Sequence, residues 1–254
     1  MSVLKHIEFN EESNMVKEKV LAYWSKRSDS FSEHKHEEIH SEKKQLWEAE
    51  FLRHFSKDDK LSVLDVGCGA AFFEMVLSEF NCDVTGVDLT PEMIENGKKL
   101  LSHHGVDATL KVMDAEKLDF PDESFDVVIS RNLTWTLPHP IEAYKEWNRV
   151  LKPGGMLLVY DAEYAKGFHY CDQNENLAHG EVAKQMIEEC HDIYHMLSIS
   201  TLDRPEWDAQ VLSRLKFENI HTDLGVGDRI YHEKDNFYMP ERMFLIKADK
   251  VGKL

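Results

Sequence analysis

Residues Val63 to Glu74, Val-Leu-Asp-Val-Gly-Cys-Gly-Ala-Ala-Phe-Phe-Glu, constrain the fold more than any other stretch. The apolar β-formers Val63, Leu64 and Val66 suit a strand covered on both faces of a parallel sheet. Gly67 and Gly69 then allow a tight turn and close approach of a ligand to the main chain, and the small pair Ala70-Ala71 opens a helix. A dinucleotide fingerprint would need glycine or alanine where this chain has Phe72. No Gly-Lys-Ser/Thr follows, so a Walker-type phosphate cradle is also excluded. Asp65, just ahead of the turn, fits a cofactor carrying an amine or a positive charge.

The rest of the chain repeats the strand-then-helix rhythm. Strands are expected at 83–88, 108–113, 125–130 and 156–160, with helices at 71–80, 92–101 and 141–150 between them. Thr90-Pro91 is a good N-cap and first-turn pair, and Leu151-Lys152-Pro153-Gly154-Gly155 reads as a turn. Such alternation specifies a doubly wound, mostly parallel α/β sheet, in which ligands bind beyond the carboxyl ends of the strands. Asp65 to Gly69, Asp88, Asp114 to Glu116 and Arg131 to Trp135 all fall at those ends.

Ahead of the sheet, 14–26 and 37–55 carry apolar residues at helical spacing, joined by a turn-like Ser28-Asp29-Ser30-Phe31-Ser32. They form an expected leader, 1–56, able to cover the mouth of the cleft, before the main domain at 57–254. Residues 161–205 break the alternation around one helix, 181–197, and read as a recognition insertion over the cleft. After a helix at 206–216, strands at 219–224 and 242–247 close the chain, the last as an antiparallel edge.

Charge narrows the partners. Asp and Glu number 47 against 30 Lys and Arg, a formal charge of −17, which disfavours nucleic acid and anionic membranes and favours small molecules. Four cysteines without Cys-x-x-Cys pairing, no apolar leader core and no membrane-length apolar run lead us to expect a reduced, cytoplasmic protein. Oligomeric state is left open.

Taken in order, Val-Leu-Asp-Val-Gly-Cys-Gly, the Val-Asp at the end of strand two, Asp114-Ala115-Glu116 and Leu-Lys-Pro-Gly-Gly resemble the class I S-adenosylmethionine-dependent methyltransferases. The likeness is to the small-molecule branch that includes the ubiquinone/menaquinone-biosynthesis type, and its motifs cover roughly 61–160. It implies a Rossmann-like seven-stranded sheet with a reversed final strand and S-adenosyl-L-methionine as cofactor. Asp88 would accept the ribose hydroxyls, and Gly67, Cys68 and Gly69 would pass close to the methionine part. Asp65 would face the ammonium group. Asp114, Ala115 and Glu116 would flank adenine, with Leu89 and Met93 packed on adenine and ribose. Arg131 and Asn132 would run past the methionyl end.

Methyl transfer is an in-line displacement in which the protein aligns the acceptor and excludes water, so no fixed catalytic residue is expected. Acceptor-pocket candidates are Tyr23, Trp135 and His139, with Trp24, Tyr164 and His169 behind them; each also reads as ordinary core or surface. No metal is expected: His34, His36 and His40, and the helix face Glu188, His191 and His195, read as solvated groups. The alternative function is a non-catalytic S-adenosylmethionine- or nucleoside-binding sensor.

Overall fold

The computed structural model describes residues 11–170, 175–179 and 182–252. Seven strands form one sheet: β1 (Leu61–Val66), β2 (Cys82–Asp88), β3 (Thr109–Val112), β4 (Phe125–Arg131), β5 (Leu151–Asp161), β6 (Phe217–Asp223) and β7 (Phe244–Lys250). Their order is β3-β2-β1-β4-β5-β7-β6. β7 runs antiparallel to both β5 and β6, and the other pairs are parallel. The final strand is therefore reversed as expected, but it lies inside the sheet; β6 is the edge. The burial of Phe244, Leu245 and Ile246 explains why, since an apolar run of this kind needs cover on both faces.

Helices α1 (Glu11–Ile39) and α2 (Lys43–Phe51) precede the sheet; α3 (Phe72–Leu77), α4 (Pro91–His104) and α5 (Pro140–Val150) are its crossovers. Helices α6 (Tyr164–Tyr170) and α7 (Lys184–Met196) follow β5, and α8 (Glu206–Arg214) and α9 (Val226–Ile230) complete the set. Among the described residues, no helix is long and apolar enough to cross a membrane.

Two local expectations fail for identifiable reasons. The serine-rich stretch at 28–32 is not a turn but the middle of α1. Ser28, Ser30 and Ser32 donate to the carbonyls of Ser25, Arg27 and Ser28 at 2.9, 3.2 and 2.5 Å, so their hydroxyls are satisfied inside the helix. Packing of α1 on the domain then overrides their weak helical propensity. The Pro153-Gly154-Gly155 turn lies within β5 instead of before it: Phe125 pairs with Leu151 and Val127 with Met156, which leaves 152–155 bulged out of the ladder.

The core under α2 and α3 is aromatic. Trp47, Phe51, Phe73 and Tyr160 are fully buried or nearly so, with the Trp47 ring 4.8 Å from Phe73 and 4.9 Å from Tyr160, edge to face. This joins α2, α3 and β5 as one block. The N-terminal end of α1 lies over the carboxyl ends of the strands.

Candidate active site

The turn after β1 is shaped by Gly67, whose φ of +75° an L side chain rarely adopts, and where a Cβ would sit 2.9 Å from the Leu133 side chain. Asp88, at the end of β2, binds this turn: Oδ2 accepts the Gly69 N–H at 3.0 Å and Oδ1 the Thr90 N–H at 2.8 Å. Thr90 stands at the N-cap position of α4, but its hydroxyl makes no capping bond there. A carboxylate has about four acceptor sites, so Asp88 keeps acceptor capacity after these bonds.

One cleft gathers most of the expected residues. Asp65, Gly67, Cys68, Gly69, Asp88, Leu89, Met93, Asp114, Ala115, Arg131 and Asn132 all line it, and so do Tyr23 and Trp135. Its far end is aromatic: Trp135 packs 5.1 Å from Tyr164 and 4.2 Å from Tyr194, while Tyr23 meets Trp24 edge to face at 5.3 Å. Asn132, at φ +54°, accepts the Tyr164 hydroxyl on Oδ1 at 2.8 Å and the Trp135 indole N–H on its carbonyl at 2.9 Å. A side chain that tolerates the left-handed region thus braces two rings of the wall.

Two expectations are corrected. Glu116 does not flank the cleft but turns into the protein, where it accepts the His139 main-chain N–H at 2.7 Å and contacts His139 Nδ1 at 3.0 Å and Lys17 Nζ at 2.5 Å. His139, paired this way at the head of α5 and only 3% exposed, is no part of the pocket wall. A carboxylate at a helix N-terminus with two donors is better satisfied there than facing a ligand. The side chain of His169 lies outside the described residues.

Burial shifts the acidic centre toward its neutral, protonated form. Asp65 Oδ1 and both Glu74 carboxylate oxygens have no hydrogen-bond partner among the described residues. Burial, then the neighbouring Glu74, pushes the Asp65 carboxyl well above its usual range, and burial pushes Glu74 up to about 8. Gly86 makes room for Glu74, since a Cβ there would stand 2.0 Å from Oε1. Cys68, buried beside these acids, is held as a thiol by desolvation and by Glu74.

Sequence reading missed the groups that hold the cleft's walls. Lys17 of α1 binds Asp114 Oδ2 at 2.7 Å. Arg131 donates to Glu38 Oε1 at 2.8 Å and to the Tyr231 hydroxyl at 2.6 Å, and its guanidinium lies 4.4 Å from the Phe72 ring centre. Burial alone would raise the Glu38 carboxyl, but Arg131 and Lys35 outweigh it and hold it at about 2. Behind Trp135, buried Arg204 joins Asp161 at 3.0 Å and Asp208 at 2.8 Å, and Asp161 Oδ2 accepts the Trp135 main-chain N–H at 3.1 Å. Each of these pairs spans elements far apart in sequence, apart from Arg204–Asp208. That one is an i, i+4 pair, a spacing that the sequence alone could have offered.

Residues 64–159 match a family model described as a methyltransferase domain. This stretch is a methyltransferase domain. It holds the end of β1, the glycine turn, β2, β3, β4 and most of β5. A sterol 4-C-methyltransferase of Caenorhabditis elegans is 26% identical over 177 residues, 68% of this chain and 50% of that protein. A 2-methyl-6-phytyl-1,4-hydroquinone methyltransferase of Synechocystis is 40% identical over 101 residues, 39% of this chain and 31% of that protein. The chain thus spans half or less of the length of these curated relatives. A phosphoethanolamine N-methyltransferase of Haemonchus contortus, solved with S-adenosyl-L-methionine, shares the methyltransferase fold at a TM-score of 0.57 and 20% identity, over 82% of this chain and 52% of that one.

Proposed function

We propose that the chain transfers a methyl group from S-adenosyl-L-methionine to a small, apolar, ring-bearing metabolite. One observation carries this reading: a single cleft joins a buried acidic end, with an unpartnered Asp65 oxygen, to an aromatic end built by Tyr23, Trp24, Trp135, Tyr164 and Tyr194. Unsatisfied buried acceptors are costly unless a donor arrives, and the ammonium group of the cofactor is such a donor.

The methionine part would be held by Asp65 and the Gly67–Gly69 turn. Asp88 offers its remaining acceptor capacity to the ribose hydroxyls, and Leu89 and Met93 offer apolar cover to the adenosine. Asp114, held in place by Lys17, offers an acceptor for the adenine amine. Arg131 Nε and Nη1 have no hydrogen-bond partner among the described residues, which suits the carboxylate of the same cofactor. The bound cofactor supplies an electrophilic methyl group; the chain's residues orient the acceptor and exclude water.

Tyr23, Cys190 and Tyr194 line the acceptor end, and burial first of all pushes all three up, so each is protonated at neutral pH. They act as hydrogen-bond donors to the acceptor and not as bases. The acceptor atom must therefore be nucleophilic on its own account, as an electron-rich ring carbon or an amine is. The names of the relatives, a sterol and a hydroquinone methyltransferase, agree with an apolar ring.

The test is incubation with S-adenosyl-L-methionine and a panel of hydroquinones, sterols and phosphoethanolamine, read by mass spectrometry for a methylated product. Product from a ring-bearing acceptor and none from phosphoethanolamine is the expected result. Tight S-adenosylhomocysteine binding with no product from any ring compound would overturn the reading in favour of a sensor.

A further inference from the structure

Three histidines outside the cleft come together where α1 ends against the end of α4. His36 and His40 lie one turn apart at the end of α1, and His104 is in the last turn of α4. Their ring centres are 4.4 Å (His36–His40), 5.3 Å (His40–His104) and 6.1 Å (His36–His104) apart. One ligand nitrogen from each falls within 4.8 Å of the other two. His34, grouped with them on sequence grounds, is instead turned away and meets the Asn236 carbonyl at 3.0 Å. From this geometry we infer that His36, His40 and His104 form a site for a divalent transition metal of the zinc class, which clasps α1 to α4.

Chemistry supports the assignment. Three imidazoles with a fourth position left to water are a familiar zinc set, with Zn–N of about 2.0–2.1 Å. Nitrogens sharing one tetrahedral ion stand ~3.3 Å apart, so exposed side chains need only small rotations to close on it. His40 is already oriented: its Nδ1 lies 2.7 Å from the His36 carbonyl, which makes Nδ1 the N–H and leaves the lone pair on Nε2.

Position gives the site a consequence. α1 and α4 run side by side in the same direction, joined by Ser25 to Glu92 at 3.0 Å, Asn96 to Asp29 at 3.0 Å and Asn96 to Ser32 at 3.2 Å. These polar contacts, two exposed and one half-buried, are individually weak. Both helices line the cleft, α1 through Tyr23 and α4 through Met93. A metal at their far ends would therefore hold the helix that covers the cleft.

The experiment uses the untagged full chain, titrated calorimetrically with ZnCl2, and needs no acceptor or cofactor. One zinc per chain is expected, weakened at least ten-fold by His104→Gln and abolished by His36→Gln with His104→Gln. The exposed controls His191→Gln and His232→Gln should leave it unchanged. Amide exchange along α1 should slow on adding zinc to wild type but not to His104→Gln. Absence of stoichiometric uptake, or uptake indifferent to His104→Gln, overturns the site; uptake without slowed α1 exchange overturns the clasp.

Discussion

Lys17 Nζ stands 2.7 Å from Asp114 Oδ2, so the helix that covers the cleft is fastened to a carboxylate that lines it. The pair is partly exposed, at 22% and 30% of the two side chains, and Lys17 also reaches buried Glu116. Burial lowers the Lys17 ammonium, but hydrogen bonds to Asp114 and Glu116 outweigh it and leave its value raised. A partly exposed pair is worth roughly 0.2–1 kcal/mol. Lys17→Met is therefore expected to speed S-adenosylhomocysteine release by a factor of about two to five, as measured by stopped flow, with far-UV dichroism unchanged.

Glu74 gives the fold an unusual pH dependence. Its folded value, raised to about 8 mainly by burial, exceeds the ordinary carboxylate value of 4.5. The folded state then binds more protons than the unfolded chain between those values, so stability is full below pH 4.5 from this group and is lost as pH rises through 8. Asp65 and Asp88, both raised by burial, act with the same sign. Urea midpoints of wild type should fall between pH 6 and pH 9, and Glu74→Gln should flatten that slope.

Arg204 bears on the wall behind Trp135. Its guanidinium is buried with Asp161 and Asp208, and Tyr144 donates to Asp208 Oδ1 at 2.6 Å. Removing the cation leaves two buried carboxylates facing each other without a counter-charge. Arg204→Met is expected to cost about 3–5 kcal/mol of unfolding free energy, measured by urea denaturation. Asp161→Asn, which keeps an acceptor for the Trp135 N–H, should cost less than Asp161→Ala.

The acceptor end is tested at Trp135 and Tyr194, whose ring centres are 4.2 Å apart. Trp135→Ala should raise KM for the acceptor at least ten-fold while leaving S-adenosylhomocysteine affinity within about three-fold, because about 1.4 kcal/mol corresponds to a factor of ten. Equal loss of both would place Trp135 in cofactor binding instead.

Legibility in the sequence followed the range of the interaction. β1, its glycine turn and Asp88 could be read because apolar runs, φ-permissive glycines and strand-end acids are local signals. So could the reversal of β7, through the family resemblance. What escaped depends on contacts between distant segments. Glu38 and Arg131 are 93 residues apart, and nothing in the pattern around Glu38 distinguishes a buried partner from a solvated helix acid. The same holds for Glu116, which the motif placed at the cleft and His139 draws into the interior. The serines of α1 misled for the converse reason: a local turn signal was overridden by packing.

The central claim is that the cleft between Asp65 and Asp114 holds S-adenosyl-L-methionine, with Asp88 as a polar anchor. Calorimetric titration of S-adenosylhomocysteine into wild type and Asp88→Ala tests it most directly. One-to-one binding near the micromolar range, lost by at least a hundred-fold in a folded Asp88→Ala variant, is the expected result. A folded wild-type protein that takes up no S-adenosylhomocysteine, or an Asp88→Ala variant that binds it as tightly, would contradict the account.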